Sequence, residues 1–233
     1  MYTLDGLRPL VLHEIRSDPD AELLSVSRSH VLMFDLQTGR ELRFRVRPHT
    51  PESLARRIKF APGACPADKW PGYRRAVARA LLRLPPEVLL NLNDVYVIGA
   101  ADDLAYLAGK YGLDEECMPG KLLDEDGPSG LSPDFLGLHW WAESSVFVNV
   151  AAIKATAEDI CGGPDAPDLA GETDIGFWTT LLHELRHLQM DDCPYDFPWL
   201  KDADASEAGV EAWALDTYET LFRGPLPKPP QNN

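Results

Sequence analysis

No stretch of the 233-residue chain approaches the roughly 18 consecutive apolar residues that would span a bilayer, so no membrane partner is expected. The N-terminus, M-Y-T-L-D-G-L-R-P-L, lacks the basic start, apolar run and small-residue cleavage site of a signal peptide. A cytoplasmic location is therefore the expectation. Cysteine is scarce, at Cys65, Cys117, Cys161 and Cys193, and no C-x-x-C occurs. That spacing speaks against a cysteine zinc knuckle or a thioredoxin-like redox site. An even count permits two disulfides; without a secretory signal, free thiols are expected. G-x-G-x-x-G and the P-loop are both missing, and with them any motif for a nucleotide cofactor. No internal repeat is visible.

Positive charge is scarce over most of the chain, and the net charge is −15. It is also uneven: residues 1–39 carry −3, residues 40–83 carry +9 and residues 84–233 carry −21. Such a split implies either a basic segment lying against an acidic body or a basic surface for an acidic partner, with internal neutralisation the leading reading. The 45% hydrophobic and 9% aromatic content belongs to a globular chain, long enough for one sizeable core or a core with a small appendage.

Within that frame one stretch carries chemistry. Asp174 to Met190 contains His183, Glu184 and His187 as H-E-x-x-H. Trp178, Leu181, Leu182, Leu185 and Leu188 make an apolar stripe at 3.6-residue spacing, which predicts a helix capped by Thr173 or Asp174. Residues four apart share a helical face, so both imidazoles can reach one ion while Glu184 stands beside a water. With six histidines and fifteen glutamates in 233 residues, chance produces the pattern in roughly one shuffled sequence in a hundred. Arg186 and Gln189 read as polar residues off the apolar stripe.

Catalytic zinc takes three protein ligands and leaves a position open. No histidine follows His187. Cys193 lies six residues on, but Met190 stands where a turn glycine is needed and no later methionine exists, which leaves Cys193 a minor candidate. Better candidates are Glu207 and Glu211, four apart on a final helix running from about Asp204 to Phe222. Either could be the third ligand.

H-E-L-R-H followed by E-A-G-V-E-A-W-A resembles the gluzincin branch of the zincin metallopeptidases over residues 174–222. The resemblance implies zinc held by His183, His187 and Glu207, with Glu184 as general base and Glu211 supporting a histidine from behind. The alternative register makes Glu211 the ligand. Tyr218, eleven residues after Glu207, and Tyr195 are candidates to stabilise the oxyanion. The implied activity is hydrolysis of peptide bonds in a protein or peptide substrate. The implied fold is α+β: a mixed sheet with the active-site helix, its cleft lined by Val146–Val150 as edge strand, preceded by a β-rich N-terminal region.

Two rival functions stay open: a zincin-fold binding protein that no longer cleaves, and a nucleic-acid-associated protease using the basic 40–83 segment. The expected division is a β-hairpin and basic helical region at 1–84, a metallopeptidase domain at 85–223 and a Pro-rich tail at 224–233.

Along the chain, residues 8–47 read as β-rich, with strands at Val31–Leu36 and Leu42–Val46 joined at Thr38-Gly39. The arginines alternating in the second strand read as its solvated face. Thr50-Pro51 starts a helix to about Lys59, and Tyr73 to Leu84 is a basic amphipathic helix. A strand at Asp94–Ala100 and a helix at Asp102–Tyr111 follow, then an acidic Gly/Pro-rich loop over 112–136. Leu138–Trp141 and Val146–Val150 read as strands, Ala151–Ile160 as a helix, and Cys161–Gly171 as a loop.

Overall fold

The computed structural model describes residues 4–100, 102–113, 135–140, 143–191, 197, 199–201 and 203–223. The acidic 112–136 loop falls almost wholly outside them, as do Cys193, Tyr195 and the Pro-rich tail. The fold is α+β, with a mixed sheet and helices packed on it.

The chain opens with helix α1 (Leu4–Ser17) where a β-rich segment was expected. Leu7, Val11 and Ile15, four apart, form its buried face, a helical period that the more exposed Leu10 and Leu12 obscure. Strands β1 (Ala21–Val26), β2 (His30–Asp35) and β3 (Arg40–Arg45) then make an antiparallel sheet in chain order. The expected β2–β3 hairpin is present, its turn closed by the Asp35 carboxylate. That group accepts from the Gln37 N–H at 2.9 Å and the Thr38 hydroxyl at 2.6 Å, and Gly39 takes φ +69°. Val31 pairs with Phe44 and Met33 with Leu42, putting these four inward. They bury α1 together with Leu90 and Phe197, residues from well beyond the first sheet.

Thr50 and Ser53 form a reciprocal capping box on helix α2 (Pro51–Ala55), and Pro51 occupies its first turn. The helix stops short of Lys59 because the chain turns at once into strand β4 (Ile58–Phe60). The Arg57 guanidinium ties that turn to the carbonyls of Leu92 and Asn93. Helix α3 (Trp70–Leu81) follows, then strand β5 (Val95–Ile98) and helix α4 (Asp103–Tyr111). Strands β6 (Gly137–Trp140) and β7 (Ser145–Asn149) complete a second sheet of order β4-β5-β7-β6. β4, β5 and β7 run parallel, and β6 runs antiparallel to β7.

The sheet edges are thus β4 and β6, and the edge strand next to the motif helix is β6, not Val146–Val150. β7 is paired on both sides and buried along its length, as its continuous V-F-V run suits.

Helix α5 (Val150–Cys161) is capped by Asn149, whose side-chain oxygen accepts from the Ala151 and Ala152 N–H groups at 3.2 Å. Helix α6 (Leu169–Asp191) carries the motif and begins a turn before the expected Thr173 or Asp174 cap. Thr173 instead bonds back within the helix, its hydroxyl donating to the Leu169 carbonyl at 2.8 Å. Trp178, Leu181, Leu182, Leu185 and Leu188 are each 2% exposed or less, facing β-sheet and helix neighbours in the largest core cluster. Each such burial stabilises the fold by roughly 1.5–3 kcal/mol. Helix α7 (Glu207–Leu221) returns alongside α6 and contributes Val210, Ala214 and Tyr218 to the interior. No helix among the described residues is long and apolar enough to cross a membrane.

Candidate metal centre

With its apolar stripe turned to the core, α6 presents His183 and His187 on another edge, one turn apart. Their Nε2 atoms are 3.0 Å from each other. Glu207, the first residue of α7, reaches both: Oε2 lies 3.3 Å from His183 Nε2 and Oε1 lies 3.3 Å from His187 Nε2. Its position is set by the start of α7. The Ser206 hydroxyl accepts from the Gly209 N–H at 3.1 Å, and Asp204 accepts from the Ser206 N–H at 2.9 Å. Gly209 has no room for a side chain, because a Cβ there would come within 2.4 Å of Asp204.

The donor set fits a tetrahedral divalent ion. Ligand atoms about 2.0–2.2 Å from zinc in tetrahedral geometry are roughly 3.3–3.6 Å apart. The two Nε2 atoms are 3.0 Å apart and each lies 3.3 Å from its nearer Glu207 oxygen, and one donor atom from each residue lies within 4.8 Å of the others, close enough to converge on one ion. The two imidazoles are 24% and 15% exposed, whereas the Glu207 side chain is 79% exposed, so one side of the cluster faces solvent. Burial, then the neighbouring His187, hold His183 below its ordinary pKa, while Glu207 and Glu211 act against them. A neutral imidazole is the form that binds a metal.

Glu184 lies beside this cluster but is buried, and burial pushes its carboxyl up to about 8. The backbone N–H of His139 on β6 donates to it and works the other way; the nearby charge of Glu207 adds to the rise. Edge strand β6 presses close here. A Cβ on Gly137 would meet Thr180 Cγ2 at 2.5 Å, Glu184 Cγ at 2.8 Å and Glu184 Oε1 at 2.9 Å, so only glycine lets the strand approach. A cleft of about 330 Å³ opens between β6, α6 and α7, lined by Gly137, Thr180, His183, Glu184, Glu211 and Leu215 among others.

The structure brings His183, His187 and Glu207 together as one cluster with Glu184 at its side. Glu211 is exposed on the cleft wall one turn further along α7, outside the group whose donor atoms lie within 4.8 Å of one another. Of the two carboxylates, Glu207 is the one that reaches both imidazoles. Tyr218 is not at the site. Eleven residues along α7 amount to three turns, about 16 Å, and its ring is buried in the core cluster that also holds Trp178 and Phe222.

Two neighbours were not anticipated from the sequence. His139 stacks on His187, with ring centroids 5.4 Å apart, and Gly137 gives β6 its close approach. Only their place on the edge strand marks them, and strand order is not written in local pattern. Arg186 and Gln189, read as merely polar, are buried. The Arg186 guanidinium donates to Gln189 Oε1 at 2.6 Å and stacks 5.0 Å from the Trp213 ring of α7. The Gln189 amide reaches the Glu87 carbonyl at 3.4 Å, and Asn91 donates to the Leu188 carbonyl at 3.0 Å. The motif helix is pinned on two sides. Comparison of the chain with family models, curated proteins and solved structures finds no match.

Proposed function

We propose that the chain is a zinc-dependent metallopeptidase that hydrolyses peptide bonds in protein or peptide substrates. The observation that carries this reading is the approach of His183, His187 and Glu207 to 3.0–3.3 Å of one another beside the buried carboxyl of Glu184. His183 and His187 on one turn of α6 and Glu207 on α7 would hold the ion. When bound, zinc supplies positive charge that acidifies a water, polarises a carbonyl and draws the Glu184 pKa down into the range of a working base.

The chain's own groups do the rest. Glu184 takes a proton from the attacking water as its oxygen bonds to the scissile carbon. It then delivers that proton to the leaving amine as the C–N bond breaks, a contribution of typically 10²–10⁴-fold. The His139 N–H aims the carboxylate, and the edge of β6 limits access of bulk water to it. Glu211 lowers the cost of positive charge at His183 from the cleft wall. The open cleft favours catalysis over a purely structural ion, which needs no space beside it. Cys65 and Cys161 are free thiols, which suits the cytoplasm.

The test is Glu184→Gln, which retains the ligand set and removes the base. Peptide hydrolysis should fall at least about a hundredfold with metal content unchanged. Equal turnover in the two proteins would take Glu184 out of the reaction.

A further inference from the structure

A concavity of about 620 Å³ exceeds in volume the cleft beside the histidines. It lies where β3 meets α2, β4 and the entry to β5, and its walls include Arg43, Arg45, Arg56, Arg57 and Lys59. Lys59 is neutralised by Asp94 at 3.6 Å. The four arginines form no ion pair among the described residues. Arg57 and Arg45 instead donate to backbone carbonyls, Arg57 to Leu92 and Asn93 and Arg45 to Arg47 and Pro48. Arg43 and Arg56 are exposed. Among the described residues Glu41 and Glu143 are the remaining acidic groups on the wall, so the described lining carries about two more positive than negative charges.

Two histidines lie within the field of these arginines. His30 and His49 are held below their ordinary pKa by burial first, and then by Arg45, with Arg43 or Arg57 adding to it. Within the described residues, neutralisation of this part of the basic 40–83 segment is partial, through Asp94, Glu41 and Glu143. The wall also includes Ser144, a non-glycine residue at φ +47°. Its carbonyl accepts from the Asn93 N–H at 2.8 Å, and the Asn93 amide donates to the Glu143 carbonyl at 2.8 Å. A strained backbone held by two bonds at the rim of a charged cavity is a feature found at ligand sites.

We propose that this cavity binds a phosphate-bearing ligand, the phosphate lying among Arg43, Arg45 and Arg56. Planar guanidinium forks match phosphate oxygens, and two surplus charges suit a phosphate monoester or pyrophosphate group. Among the described residues the lining is polar and charged rather than aromatic, which suits recognition of the anion itself. A concave pocket of this volume suits a small ligand better than a long polyanion laid across a surface. The site is independent of the histidine cluster.

Inorganic pyrophosphate and a short DNA duplex, each titrated calorimetrically into the full chain at low and moderate salt, test this. Wild type should bind pyrophosphate, more weakly as salt rises. Arg43→Gln/Arg56→Gln should weaken binding at least about tenfold, while Arg75→Gln/Arg79→Gln on α3, with the same change in net charge, and His183→Ala should not. If the double variant fails to fold, Arg56→Gln alone decides, since Arg56 is exposed. Pyrophosphate binding without DNA binding identifies a free phosphate ligand; binding of both, lost together in the pocket variant, assigns the phosphate to a nucleic-acid backbone. Absence of binding by either probe, or equal loss in the pocket and α3 variants, overturns the proposal.

Discussion

The imidazoles of His139 and His187 lie stacked, their ring centroids 5.4 Å apart and their planes 20° from parallel. One ring belongs to the edge strand and the other to the motif helix, so the sheet fixes the orientation of a proposed zinc ligand. His139→Ala should therefore weaken zinc binding about tenfold, the scale on which groups behind metal ligands act. His139→Phe, which keeps an aromatic face against His187, should recover most of it. Competition with a chelating dye measures both. Unchanged affinity in the alanine variant would mean the stacking has no bearing on the ligand.

Gly137 faces Glu184 and Thr180 with no space for a methyl group. Gly137→Ala should displace the Glu184 carboxyl and β6 together, costing about 1–3 kcal/mol in urea unfolding. Hydrolysis should fall while His183, His187 and Glu207 still hold metal. Activity at the wild-type level would show that the carboxyl tolerates displacement.

Arg186 is buried with Gln189 as its hydrogen-bond partner and Trp213 beneath it. Gln189→Leu would leave the guanidinium without that acceptor and free the Glu87 carbonyl as well. A loss of roughly 1–3 kcal/mol in global stability is expected, the cost of a buried polar group left unpaired. Urea midpoints at constant slope provide the measurement.

His49 has its pKa depressed to about 3 by burial and by Arg45 and Arg57. The unfolded imidazole titrates near 6.5. Between these values the unfolded chain binds the proton and the folded chain does not, so stability falls as pH drops from about 6.5 toward 3. His49→Gln should flatten that fall by about one proton in the pH dependence of unfolding, measured between pH 4 and 7. Parallel curves for the two proteins would contradict the assigned depression.

The motif helix was legible because Trp178, Leu181, Leu182, Leu185 and Leu188 share one face at helical spacing and all are buried. The β2–β3 hairpin was legible from alternation around Gly39. Helix α1 was not, since Pro9 sits inside it and Leu10 and Leu12 blur the Leu7, Val11, Ile15 repeat. β1 escaped notice because Glu22, Leu24, Ser25 and Val26 are exposed, and β4 because three residues carry no period.

At the site, H-E-x-x-H names two histidines and a carboxylate by local spacing alone. Its third partner depends on how α7 packs on α6. Helical periodicity puts Glu207, Glu211 and Tyr218 on one face without saying which turn meets the histidines. Packing selects the first turn of α7, which leaves Tyr218 about 16 Å away. His139 and Gly137 depend on strand order in the sheet, a property of the assembled fold.

The account rests on the three ligands acting together, and metal content tests that most directly. Purified wild type, His183→Ala, Glu207→Ala and Glu211→Ala should be dialysed against trace zinc and assayed by elemental analysis. Wild type and Glu211→Ala are expected to retain about one zinc per chain, and His183→Ala and Glu207→Ala to lose most of it. Wild type without zinc, or Glu207→Ala with its full complement, would contradict the centre described.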